Sequence, residues 1–176
     1  MSTKAHEMLY KRLMGIRDEN PGFYFGTRKK GAKLMKGKWF LGNEDYISIP
    51  FWEGTDTHNK TPNVSFVVIP PKSKILGKRD DCTSFIQLTA RDSSKKTKFL
   101  ERMSEVIPGF ELYGKGEWNK RYRAHSYLKN LDDFLVNDKP MIDEMIRNGG
   151  VEGLSLLTED SLKHINNIEL IRSNQI

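Results

Sequence analysis

Between residues 38 and 90 the chain holds four segments rich in β-branched and aromatic residues, at 38–41, 45–53, 63–69 and 83–90. Each is bounded by Gly, Pro, Asn or Asp, the punctuation of short strands. Parallel pairing needs a crossover connection, commonly a helix, and the links here are short. This stretch therefore predicts a mostly antiparallel sheet. A further short strand is expected at 23–26, and two more at 110–113 and 117–123. Apolar residues recur at helical spacing elsewhere: Ala5, Met8, Leu9, Leu13 and Ile16 in 2–18, and Phe99, Leu100, Met103, Val106 and Ile107 in 93–107. Two helices over 127–136 and 139–147 follow, with Pro140 in the first turn of the second. The expected fold class is α+β, a mostly antiparallel curved sheet of short strands flanked by helices.

At 176 residues and 37% apolar content, the chain suits one domain with a true core. Gly149-Gly150 reads as a break. The expected organisation is a recognition domain over 1–148. A linker, a helix capped by Thr158 and a final strand at 168–171 then fill 149–176. The lone Cys82 cannot form an internal disulfide, which suggests a reducing compartment. No apolar run approaches the ~20 residues that span a bilayer, and the N-terminus lacks a signal-peptide core. The expected location is the cytoplasm, with no membrane partner.

The charge is unevenly spread. Residues 1–130 carry 25 basic and 14 acidic side chains, whereas residues 131–176 carry 4 and 9. Arg28, Lys29, Lys30, Lys33, Lys36 and Lys38 stand together with no acid among them, and without them the net charge of +6 vanishes. A local field of that kind suits a polyanion, nucleic acid first. A loop kept soluble by its lysines is the plainer reading. Lys120, Arg121 and Arg123 form a second basic cluster just after Trp118.

Aromatic residues lie beside these cations. In the strand at 45–53, period two puts Ile47, Ile49 and Phe51 on a core face and Tyr46, Ser48, Pro50 and Trp52 on the other. Pro50 marks an edge strand or a bulge. Tyr46, Ser48 and Trp52, joined by Trp39 and Trp118, are the candidate base pocket, because rings stack on unpaired or flipped bases while cations hold phosphates. Tryptophans packed under helices are the alternative.

Catalytic patterns are sparse. The sequence contains neither a Walker-type phosphate loop nor a dinucleotide fingerprint, and no G-x-S-x-G elbow. His6, His58, His125 and His164 stand far apart, and one cysteine cannot build a zinc site. No catalytic residue, metal or cofactor is expected. Asp80, Asp81, Glu111 and Glu117, near Lys115 and Lys120, are the acids a small nuclease would use, and that reading stays open as a weaker alternative. A protein-interaction or assembly domain, with the acidic helices over 128–147 meeting a partner, is another.

The last residues, Ile168-Glu169-Leu170-Ile171-Arg172-Ser173-Asn174-Gln175-Ile176, and the "WFLGN…YISIPFWEG…NVSFVV" texture from Trp39 to Val68 carry a resemblance. Together they resemble the N-terminal region of McrB-like AAA+ ATPases from modification-dependent restriction systems, in which an "NQI"-like strand leads into the Walker A loop. The resemblance implies a DNA-recognition domain for a modified base in a defence system. It places the ATPase C-terminal in the same chain and the nuclease in a partner.

Overall fold

The computed structural model describes residues 2–27, 39–43, 45–70, 84–91, 94–158 and 161. Helix α1 (Ser2–Glu19) stops at Asn20-Pro21-Gly22. The Asn20 N–H closes the last turn on the Ile16 carbonyl, and its side chain accepts from the Gly22 N–H. Short strands follow: β1 (Leu41–Asn43), β2 (Tyr46–Pro50), β3 (Trp52–Glu53), β4 (Thr55–Asp56), β5 (Thr61–Pro62), β6 (Val64–Val68) and β7 (Ser84–Thr89). Then come α2 (Ser94–Val106), β8 (Phe110–Gly114) and β9 (Glu117–Tyr122). Helix α3 (Tyr127–Asp133), a π-helical turn over Phe134–Asp138 and α4 (Lys139–Gly149) run on without interruption, and β10 (Ser155–Leu156) closes the described chain.

The fold is α+β. Six strands form one open sheet in the order β1-β2-β6-β7-β9-β8, and every pairing is antiparallel. Register decides which residues share a face. Ile49, Phe66, Ile86 and Lys120 lie opposite one another on one side, and Ser48, Val67, Phe85 and Arg121 on the other. All the helices pack on the first face, where Leu9, Leu13, Leu100, Leu131, Phe134 and Ile142 meet Ile47, Ile49, Phe66 and Ile86. Phe134 stacks on Phe66 with ring centroids 4.9 Å apart. Burying each such side chain stabilises the fold by about 1.5–3 kcal/mol. The second face has its own small cluster of Val67, Ile69 and Phe85, with Tyr46 against it, set among buried polar residues.

Several expectations change on the structure. The segment at 23–26 forms no strand, although its Gly26 N–H donates to the Pro50 carbonyl at 2.7 Å. Pro50 lies beyond the three-residue reach of β1, and among the described residues the strand side that its missing N–H leaves bare meets this one bond. The long strand expected over 45–53 is interrupted at Phe51, and Phe51 and Trp52 both enter the core. Alternation fails at that irregularity.

The chain then forms a hairpin that alternation does not announce. Asp56 accepts from the His58 and Asn59 N–H groups, and Lys60 takes the left-handed conformation at φ 56°. The helices expected over 127–136 and 139–147 are one continuous rod. Pro140 cannot donate to the carbonyl four residues back, and its ring would crowd that carbonyl. The π turn, with the Lys139 N–H bonded to the Phe134 carbonyl, widens the helix just before it. Residues 150–157, read from the sequence as linker, fold back instead. There β10 pairs with β3, and Leu154 joins the main core. The strand expected at 168–171 and the closing "NQI" lie outside the described residues.

Candidate functional site

The six-cation stretch at 28–38 lies outside the described residues, but both of its flanks are fixed. On one side Thr27 is fully buried, and Gly26 is tied to Pro50. On the other, Trp39 is only 2% exposed, its Nε1–H donates to Glu7 Oε1 at 3.0 Å, and its ring leans on Tyr10. The next residue, Phe40, donates its N–H to His6 Nδ1 and stacks on that imidazole. One turn of α1 therefore holds the second flank, and the chain passes directly into β1.

One cleft lies a single step from each flank, since Leu41 follows Phe40 in the chain and Pro50 accepts from Gly26. It has a volume of about 260 Å³ and is lined by Leu41, Pro50, Trp52, Glu53, Gly54, Thr55, Lys60 and Pro62. Leu41 and Pro50 belong to the polar face of the sheet, directly opposite Ser48 and Ser65. The Ser48, Ser65, Thr61 and Thr27 hydroxyls are the buried side-chain atoms without a hydrogen-bond partner among the described residues. None of the four lines the cleft, but each is next to a lining residue: Ser48 pairs with Leu41, Ser65 with Pro50, Thr61 lies between Lys60 and Pro62, and Thr27 follows the Gly26 that bonds Pro50. Leaving such a group unsatisfied costs about 1–3 kcal/mol. Gly54 at φ 153° lets the backbone turn tightly here, since a Cβ would meet the Gly153 carbonyl oxygen at 2.8 Å.

The sequence-predicted base pocket is not assembled as one site. Trp39 serves α1. Trp52 is 2% exposed, donates through Nε1 to Asp143 Oδ1 at 2.7 Å and meets Phe134 edge-on. It lines the cleft, but from the core side and not from the polar face that alternation gave it. Trp118 lies on the helix-covered face opposite Leu88 and Leu112. Tyr46 and Ser48 do stay on the polar face. The Tyr46 hydroxyl donates to Gln87 Oε1 at 2.8 Å, Gln87 donates onward to Glu117, and Arg91 pairs with that same carboxylate. The tryptophans went inward because each finds both an apolar neighbour and, for Trp39 and Trp52, an acceptor for its indole N–H.

The second basic cluster is divided by strand alternation. Lys120 lies on the helix-covered face, where its Nζ pairs with Asp138 Oδ1 at 2.8 Å, so this lysine is a poor phosphate ligand. Arg121 is on the opposite face, across from Phe85, and Arg123 is exposed beyond the strand end. The Tyr122 hydroxyl donates to Asp138 as well. Burial first, then that bond and the charges of Asp138 and Asp133, push the Tyr122 phenol far above its ordinary value.

Of the acids a nuclease would use, Asp80 and Asp81 lie outside the described residues. Glu111 is exposed, and Glu117 is engaged by Arg91 and Gln87. Sequence reasoning missed Leu41, Glu53, Gly54, Thr55, Lys60 and Pro62 as lining residues. The turn-rich run Gly54 to Pro62 was the available signal, but it identifies a hairpin and not the wall of a cleft. No helix among the described residues is long and apolar enough to cross a membrane. The chain matches no protein family, no curated protein and no solved structure.

Proposed function

We propose that the chain is a non-catalytic DNA-recognition module that holds phosphates with its basic segment and takes an unpaired or flipped base into the adjoining cleft. The observation that carries this reading is the pairing of six cations, free of any acid, with two fixed flanks that each stand next to a residue lining one ring-sized cleft. Cations on a tethered segment neutralise a backbone without reading sequence. The cleft is slightly smaller than the ~300–1,000 Å³ of pockets for drug-sized ligands, and so suits a single ring system. Pro50, Pro62, Leu41 and Trp52 offer apolar walls, Lys60 a cation and Glu53 an acceptor. The resemblance to McrB-like ATPases belongs to the same reading, with the ATPase in the rest of a longer chain, the nuclease in a partner, and a cytoplasmic restriction or defence role.

The test compares a paired duplex with one carrying a single unpaired nucleotide. Stacking one base is worth about 1–3 kcal/mol, so the parent should prefer the unpaired site roughly five- to a hundredfold. Lys60→Gly suits the left-handed backbone at φ 56°, so it should fold normally and lose most of that preference. Equal affinity of the parent for both DNAs would remove the base-reading part of the proposal. Failure to bind either at low salt would remove the whole.

A further inference from the structure

On the side of the molecule away from the cleft's sheet face, α2 and α4 lie next to each other and leave an open groove of about 440 Å³. It is lined by Phe99, Arg102, Val106, Met141, Glu144, Met145, Asn148 and Gly149. Phe99, in the first half of α2, meets Gly149 at the end of α4. A Cβ at Gly149 would come within 2.4 Å of the Phe99 ring, so glycine is what allows the approach. The helices are therefore antiparallel, with Val106 and Met141 at the other end. Phe99 to Val106 and Met141 to Gly149 each cover about 10 Å at 1.5 Å per residue, so the two edges match in length.

Two exposed apolar side chains lie in this groove, while Leu112 and Val136, more exposed still, lie elsewhere. Val106 is 50% exposed and Met141 38%, although both belong to helices whose opposite faces are fully buried. Arg102 and Glu144 face outward at mid-groove, one on each helix, and neither has a salt bridge or hydrogen bond among the described residues.

We propose that this α2–α4 face binds a second copy of the chain, about a twofold axis running along the groove. The charge pattern selects that axis. Rotation about the groove direction lays α2 of one protomer over α4 of its partner, in antiparallel sense and at the same height. Arg102 then meets the partner's Glu144, and Val106 the partner's Met141, each contact occurring twice as an isologous interface requires. A twofold running across the helices would set Arg102 against Arg102 and Glu144 against Glu144. A face two helices wide and about 10–12 Å long covers roughly 200–250 Å² per partner, under a third of a standard interface, so the dimer is weak and reversible. Joining two DNA-binding units through it would raise their effective affinity for DNA that presents two sites.

The test is sedimentation of the 176-residue chain from about 1 μM to about 1 mM, the range in which so small an interface associates. The parent should pass from monomer to dimer across it. Arg102→Glu and Glu144→Arg should each remain monomeric while melting like the parent. Their equimolar mixture should dimerise again, because each exchanged charge then meets its opposite on the other chain. A parent that stays monomeric throughout would overturn the proposal. So would single variants that dimerise like the parent, or a mixture that stays as monomeric as its components.

Discussion

Trp52 shows what one side chain is doing in this fold. It is 2% exposed, it meets Phe51 and Phe134 edge-on, and its indole N–H is bound by Asp143. Removing such a ring leaves a cavity and leaves Asp143 with Lys139 as its remaining partner, so Trp52→Ala should cost about 3–5 kcal/mol in urea unfolding. A loss under 1 kcal/mol would mean that the ring is peripheral and that the aromatic core is misjudged. The inward position of Trp52 was not legible from its neighbours. Strict alternation sends Trp52 to the polar side, and only the irregularity at Phe51, foreshadowed by Pro50, reverses it. Tyr46 and Ser48 precede that irregularity, and for them alternation assigned the correct face. Lys60 was invisible as a cleft residue, since nothing in a turn sequence says which neighbouring wall it completes.

At the scale of elements, the junction between β9 and the π turn is held by polar contacts: Asp138 receives both Lys120 and Tyr122. The extra residue of the π turn is what aims Asp138 at the sheet, a displacement that helical periodicity does not encode. The sequence places helices on both sides of 137–138 and reads Pro140 as a helix start. Both readings are locally sound, and the widened turn reconciles them. This junction has a pH signature. The Tyr122 phenol keeps its proton far above its ordinary value of 10.0 in the folded state and releases it near that value when unfolded. Its contribution to stability is therefore complete below about pH 10. Above that pH the folded state binds the extra proton, so stability falls by about 1.4 kcal/mol per unit. Tyr122→Phe should weaken the fold at neutral pH and flatten the decline of the urea midpoint between about pH 10 and 11. An alkaline decline as steep as the parent's would show that the phenol is not protected there.

For the whole molecule, the division of labour follows the charge. Helices lie on one face of the sheet, and the acidic α3–α4 rod is among them. The cleft belongs to the β1–β2 end, where β1 covers only three residues of β2. The fold class, the helical segments and β2, β6, β7, β8 and β9 were legible because turn residues and apolar periods agree there, whereas β4, β5 and β10, two residues each, are too short to carry a period. The cleft was not, because it is made where Leu41, Pro50, residues 52–55, Lys60 and Pro62 converge, and convergence is tertiary. That the phosphate-binding element is the 28–38 segment is the central claim, and salt dependence tests it most directly. Each phosphate neutralised by a cation contributes about 0.9 to the slope of log affinity against log salt. With Lys29, Lys30 and Lys33 changed to alanine, duplex binding measured across a salt series should lose roughly 2.7 from that slope. A triple variant that folds like the parent and keeps the parental slope would contradict the account.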